Sequence, residues 1–220
     1  MQLQGVIFDL DGTLGNTLPV CYEAFRVALQ AFLNRRFTDE EITRLFGPTE
    51  AGIIQRLVPD RWQACLRVFL DAYDRAHRRY AEPFAGIEPA LRMLSQRGVA
   101  LAIVTGKGAD SAAISLRYLG IAPFFDVIST GSPEGDVKPL QIRQVLAKWG
   151  TAPERVAYIG DTGSDMRAAR KAGVMPLGAQ WAATSDVSGL DAETPLATFS
   201  TVDSLVRWIE SHIESNSHQP

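Results

Sequence analysis

Cysteine, histidine and lysine are scarce in this chain of 220 residues, at two, three and four, and no apolar run is long enough to cross a bilayer. Each shortage excludes something. Two cysteines cannot build a disulfide framework, and together with the histidines they show no zinc-ligand spacing. Cys21 and Cys65 both fall in helical apolar patterns, where packing is the expected role. Without a spanning run there is no membrane helix, and the first strand begins almost at Met1, leaving no room for a signal peptide, so a cytoplasmic protein is expected. A formal charge of -3 leaves no basic footprint and argues against nucleic acid as a main partner. Arginine far outnumbers lysine, and the four lysines are Lys107, Lys138, Lys148 and Lys171.

What the chain does have is an ordinary apolar share of 46%, enough length for a core domain with an insertion, and a conspicuous opening segment. Val6, Ile7 and Phe8 form an apolar run of the kind found in a strand covered on both faces, and it breaks into Asp9-Leu10-Asp11-Gly12. Residues two apart on a pleated strand point the same way, so both carboxylates can face one spot beyond the strand end. One can attack and the other can move a proton.

From about Leu18 to Ala81 the pattern is helical throughout. Leu18, Cys21, Phe25, Leu29 and Phe32 make one apolar stripe; Thr38 to Glu41 reads as a capping box; a helix is predicted from Glu50 to Leu57; and Trp62 to Tyr80 repeats apolar residues at helical spacing between Pro59 and Pro83. From Gly86 onward helix and strand alternate. Strands are predicted at Val99 to Thr105, Phe125 to Thr130, Val156 to Asp161, Val174 to Leu177 and Ala197 to Phe199, with helices between them and a last helix at Val202 to Ile213. Glu214 to Pro220 reads as a frayed tail. The expected fold is α/β: a doubly wound parallel sheet in a core of residues 1–15 and 84–220, with an α-helical cap inserted at 16–83. Ligands of such sheets bind outside the carboxyl ends of the strands.

Several strand ends carry reactive groups. Thr105-Gly106 offers a hydroxyl and free backbone donors, Lys138 stands at a helix start before Pro139, and Asp161 and Asp165 flank a glycine turn. Asp9, Asp11, Asp161 and Asp165 would repel one another unless a cation sat among them, and hard oxygen donors suit magnesium. Thr105, Gly106 and Lys138 could then hold the remaining oxygens of a phosphoryl group. Lys107 is expected at the surface or the rim, and His77 on the polar side of its helix.

These motifs, Asp9-Leu10-Asp11-Gly12-Thr13, Val104-Thr105-Gly106-Lys107, Lys138-Pro139 and Gly160-Asp161 to Asp165, occur in the order and approximate spacing of the haloacid dehalogenase superfamily. The whole chain resembles its capped, phosphoglycolate phosphatase-like hydrolases. That resemblance implies a magnesium-dependent phosphatase acting on a small phosphorylated metabolite such as 2-phosphoglycolate, as a monomer or homodimer. It implies Asp9 as nucleophile, Asp11 as acid and then base, Thr105 and Lys138 on the phosphoryl group, and metal held by Asp9, the Asp11 main-chain carbonyl and Asp161, with Asp165 in support. It also makes Gly47-Pro48-Thr49-Glu50 the candidate substrate loop, with Arg44, Arg56, Arg78 and Arg79 as possible partners of an anionic leaving group. A pyrophosphatase or a hexose-phosphate mutase of the same superfamily fits the same catalytic set, and a non-catalytic phosphate-binding descendant is a further alternative. A Schiff-base phosphonatase is excluded, because the insertion contains no lysine.

Overall fold

Gly5–Phe8 forms β1 at the centre of a sheet, fully buried on both faces as its unbroken apolar run requires. The structure is a computed structural model describing residues 2–213, so the frayed-tail expectation for Glu214 to Pro220 lies outside the described residues. Among the described residues five further strands follow: β2 (Ala100–Val104), β3 (Val127–Ser129), β4 (Val156–Gly160), β5 (Met175–Ala179) and β6 (Ala197–Phe199). Every pairing is parallel, in the order β3-β2-β1-β4-β5-β6. Strand order reverses between β1 and β4, and the crevice above their carboxyl ends is where such a sheet admits a ligand.

The helices are α1 (Leu18–Leu33), α2 (Asp39–Thr43), α3 (Glu50–Leu57), α4 (Trp62–His77), α5 (Ile87–Gln96), α6 (Ala109–Leu119), α7 (Lys138–Trp149), α8 (Gly163–Ala172), α9 (Val187–Ala192) and α10 (Val202–Glu210). Strand alternation divides the core. Val6, Phe8, Leu101, Ile103 and Ile159 point to one face, packed with apolar residues of α5, α6 and α10. Ile7, Ala102, Val104 and Tyr158 point to the other, against α7 and α8. Residues from α1 to α4 build a third apolar cluster of their own, with Phe25, Phe69 and Tyr73 at its centre. These four helices lie between the first and second strands in the chain.

Helix ends follow local chemistry. The Thr38 hydroxyl accepts the Glu41 N–H while Glu41 accepts the Thr38 N–H, the capping box expected there. α3 spans the predicted residues, capped by the Thr49 hydroxyl. The third strand, expected at Phe125 to Thr130, is confined to Val127–Ser129 and follows a 3-10 turn at Ala122–Phe124 that includes Pro123. α9 was not anticipated: Gly189 interrupts its apolar pattern, and its one local signal is Asp186, whose side chain accepts the Gly189 N–H. Two side chains differ from expectation. Lys107 is 4% exposed and His77 is fully buried. His77 lies between α4 and α6, with Nε2 3.1 Å from Ser115 Oγ and its ring stacked on Tyr118.

Candidate active site

Asp9 directly follows β1, and strand parity gives it the same face as Ile7, toward α7 and α8. Those helices bring it partners. Lys138, the first residue of α7, lies 3.3 Å from Asp9 Oδ2 and 2.6 Å from Asp165 Oδ1. Burial opposes the charge on Lys138, but Asp165 and Asp9 outweigh it and hold the ammonium well above its ordinary pKa.

Asp165 has both oxygens engaged. Oδ1 also accepts from the Tyr158 hydroxyl at 3.3 Å, and Oδ2 accepts from the Thr162 N–H at 3.1 Å and the Thr162 hydroxyl at 2.6 Å. It caps α8 and braces Lys138 at the same time.

Asp161 follows β4, across the crevice from Asp9. Donor atoms of Asp9, Asp161 and Asp165 all lie within 4.8 Å of one another. Asp9 Oδ1 and Asp161 Oδ2 are buried and have no hydrogen-bond partner among the described residues. Burial, with neighbouring carboxylates adding to it, pushes Asp161 well up; burial pushes Asp9 up to about 7 against the pull of Lys138. Buried anions left this way need a positive charge. The donor set is all oxygen and fits a hard divalent cation, magnesium before zinc. The turn that makes room is Gly12, at φ 71, where a Cβ would collide with the Asp161 carboxylate.

Asp11 does not share the surroundings of Asp9. The strand has already turned, and the Asp11 carboxylate accepts from the Thr17 hydroxyl and faces Lys107, with Nζ 3.2 Å from Oδ1. Lys107 Nζ is also 3.4 Å from Glu50 Oε1 and sits 4.6 Å from the centre of the Tyr73 ring. Burial opposes its charge, and Asp11 foremost among its neighbours keeps it well above its ordinary pKa. The rim position expected for Lys107 is therefore replaced by a buried cation joining the opening turn to the insertion.

Glu50 completes the link. It belongs to α3, yet it accepts the Gly108 N–H at 2.7 Å and the Ser111 hydroxyl at 2.7 Å, both from the sheet domain. The Thr49 N–H donates to the Ser132 carbonyl at 3.0 Å, and Arg56 donates to the Glu134 carbonyl at 3.0 Å. Of the four loop residues singled out, Gly47, Pro48 and Glu50 line the cavity above Asp9, while Thr49 caps α3 and faces away. Thr105 is 1% exposed, and its hydroxyl accepts the Lys107 N–H at 3.3 Å.

The cavity has a volume of about 670 Å³ and reaches from Asp9, Asp161 and Lys138 up to α1 and α3. Asp136, Arg167 and Asp186 also line it and were not anticipated. Asp136 lies two residues before Lys138 and accepts its N–H at 3.0 Å, a local cap that sequence spacing could have revealed.

A sheet that reverses at β1 and β4, with a carboxylate after each and a lysine between, defines a class. The family model described as haloacid dehalogenase-like hydrolase matches residues 6–179, and the chain belongs to that family. The phosphoglycolate phosphatase of Aquifex aeolicus is 26% identical over 211 residues, 94% of this chain and 97% of its own length. The pyrophosphatase PpaX of Listeria welshimeri is 30% identical over 181 residues, 80% and 83% of the two chains. Among solved structures, a haloacid dehalogenase-like family hydrolase from Streptococcus pneumoniae has a TM-score of 0.76 at 25% identity, over 94% of this chain and 98% of that one.

Proposed function

We propose that this hydrolase is a magnesium-dependent phosphatase that cleaves a small phosphomonoester through an aspartyl-phosphate on Asp9. The observation that carries the reading is the pair of buried, unpartnered oxygens on Asp9 and Asp161 at the reversal point of the sheet.

Magnesium, when bound, supplies the charge that lets a phosphate dianion approach a carboxylate; Asp9, Asp161 and, by the family resemblance, the Asp11 main-chain carbonyl would hold it. Lys138 neutralises Asp9 on its other side and presents an ammonium to the phosphoryl oxygens, while Asp165 keeps that ammonium in place. The Thr105 hydroxyl uses its oxygen to accept from Lys107, so its hydrogen remains free for a phosphoryl oxygen.

Asp9 attacks phosphorus as the ester bond breaks, and Asp11 gives its proton to the leaving oxygen. Asp11, now ionised, removes a proton from water as that water attacks the aspartyl-phosphate, which releases phosphate, frees the Asp9 carboxylate and returns Asp11 to its protonated form. Lys107 and Thr17 fix the orientation of Asp11 for both transfers. The overlying helices limit the water that reaches the intermediate.

Replacement of Asp9 by Asn tests the assignment. Phosphate release from a panel of phosphomonoesters with magnesium is expected to vanish in Asp9→Asn, and undiminished release would overturn the choice of nucleophile. The relatives' names make 2-phosphoglycolate and pyrophosphate the first reference substrates.

A further inference from the structure

The part of the cavity that would receive the leaving group has a composition of its own. The apolar side chains by which the insertion lines the cavity are Leu18, Cys21, Tyr22, Phe25, Phe46 and Ile53, beside Thr43, Gly47, Pro48 and Glu50, and none of the arginines of residues 16–83 lines it among the described residues. Two of the four arginines that could meet an anion are held by other groups, Arg56 by the Glu134 carbonyl and Arg79 by Glu23. Tyr22 and Phe46 lie parallel, with ring centres 6.1 Å apart, and Phe46 keeps 39% of its surface exposed.

The charges at the base reinforce this. Six carboxylates line the cavity (Asp9, Asp11, Glu50, Asp136, Asp161 and Asp186) against three cations. Each cation already has a carboxylate partner: Lys107 has Asp11 and Glu50, Lys138 has Asp9 and Asp165, and Arg167 has Glu193 at 2.7 Å. A divalent cation and a phosphate dianion cancel each other, so a further negative charge on the leaving group would enter a surplus of carboxylates with no free donor cation. Burying such a group unpaired is costly, whereas aromatic and aliphatic walls favour an apolar one. At about 670 Å³ the space also suits something much larger than a two-carbon acid.

We infer that the physiological leaving group is a neutral, ring-bearing alcohol held between the aromatic face of α1 and the α2–α3 turn, and not a carboxylate or a second phosphate. This rests on the phosphatase reading and narrows its substrate class. Tyr22, Phe46 and Ile53 are its specificity-determining residues.

The experiment compares benzyl phosphate, 2-phosphoglycolate and pyrophosphate as substrates of the purified protein with magnesium, and titrates benzylphosphonate against phosphonoacetate by calorimetry. Benzyl phosphate and 2-phosphoglycolate are both unactivated alkyl esters, so their ratio reports recognition. The expected result is a kcat/KM for benzyl phosphate at least about tenfold above the other two, the effect of about 1.4 kcal/mol, with benzylphosphonate the tighter ligand. Phe46→Ala should raise KM for benzyl phosphate, and Phe46→Arg should shift the ratio toward 2-phosphoglycolate. Hydrolysis of 2-phosphoglycolate or pyrophosphate with equal or higher kcat/KM overturns the inference and leaves the phosphatase reading standing. No hydrolysis of any of the three overturns the phosphatase reading, while the phosphonate titration still decides the leaving-group site: tighter phosphonoacetate binding overturns it, and tighter benzylphosphonate binding upholds it.

Discussion

Glu50 makes a demanding test of how the helical insertion serves the chemistry. It is 6% exposed, and all its partners belong to the sheet domain: the Gly108 N–H, the Ser111 hydroxyl and Lys107. Truncation to Ala leaves Lys107 buried with Asp11 at 3.2 Å and orphans two donors. Breaking one side of a buried pair costs about 3–5 kcal/mol, and the lower end applies because Lys107 keeps Asp11. A penalty of about 3 kcal/mol is roughly a hundredfold in an equilibrium. It acts on the seated arrangement alone, since lifting α3 lets water solvate Lys107 and Gly108. Glu50→Ala is therefore expected to lose ten- to a hundredfold, in round numbers, in kcat/KM, while its unfolding midpoint falls by less than about 4 °C. Glu50→Gln keeps an acceptor for Gly108 and should fall between Ala and the parent. Steady-state kinetics with magnesium and a thermal melt make the measurement. Turnover by Glu50→Ala within about twofold of the parent would refute the reasoning, because Lys107 and Asp11 would then hold their geometry without it.

Two further outcomes concern pH. The folded-state pKa of Asp9 is raised to about 7 by burial, so the metal-free protein binds a proton there that the unfolded chain does not hold above pH 4 or so, and its stability falls as pH rises toward 7. Magnesium should thus raise the melting temperature more at pH 7.5 than at about pH 5, where the proton competes for Asp9; equal shifts at both would show that the ion binds elsewhere. His77 has the opposite sign. Burial holds its pKa below the ordinary value, so its contribution is complete above about pH 6.5 and is lost as the medium is acidified. His77→Phe should flatten that acid-side loss in a melting series, and an unchanged slope would clear His77 of responsibility.

The central strands were legible because β1, β2 and β4 are short, largely buried runs that end at Asp9, Thr105-Gly106 and Asp161, and α3 because Thr49 and Pro59 bound it. The placement of Asp9, Asp161 and Thr105 at one edge was legible for the same reason, because a parallel sheet sends every strand end there, and that of Lys138 because it opens α7 before Pro139. Lys107 was not. In sequence it follows Thr105-Gly106 and resembles any polar loop residue, and its burial depends on Glu50, which is distant in the chain and reaches it only through the folded insertion. The burial of His77 is hidden likewise, since its helix turns that face toward Ser115 and Tyr118 of α6. Charges buried by long-range pairing leave no periodic trace.

Gly52 has no room for a methyl group, because a Cβ there would run into the main chain of Pro133. The insertion thus comes to rest on backbone against backbone, and that stop sets the height of the chamber above Asp9 independently of the side chains that paper its walls. Repapering the walls is then free to change what fits between them, since this backbone stop and its distance from Asp9 are kept.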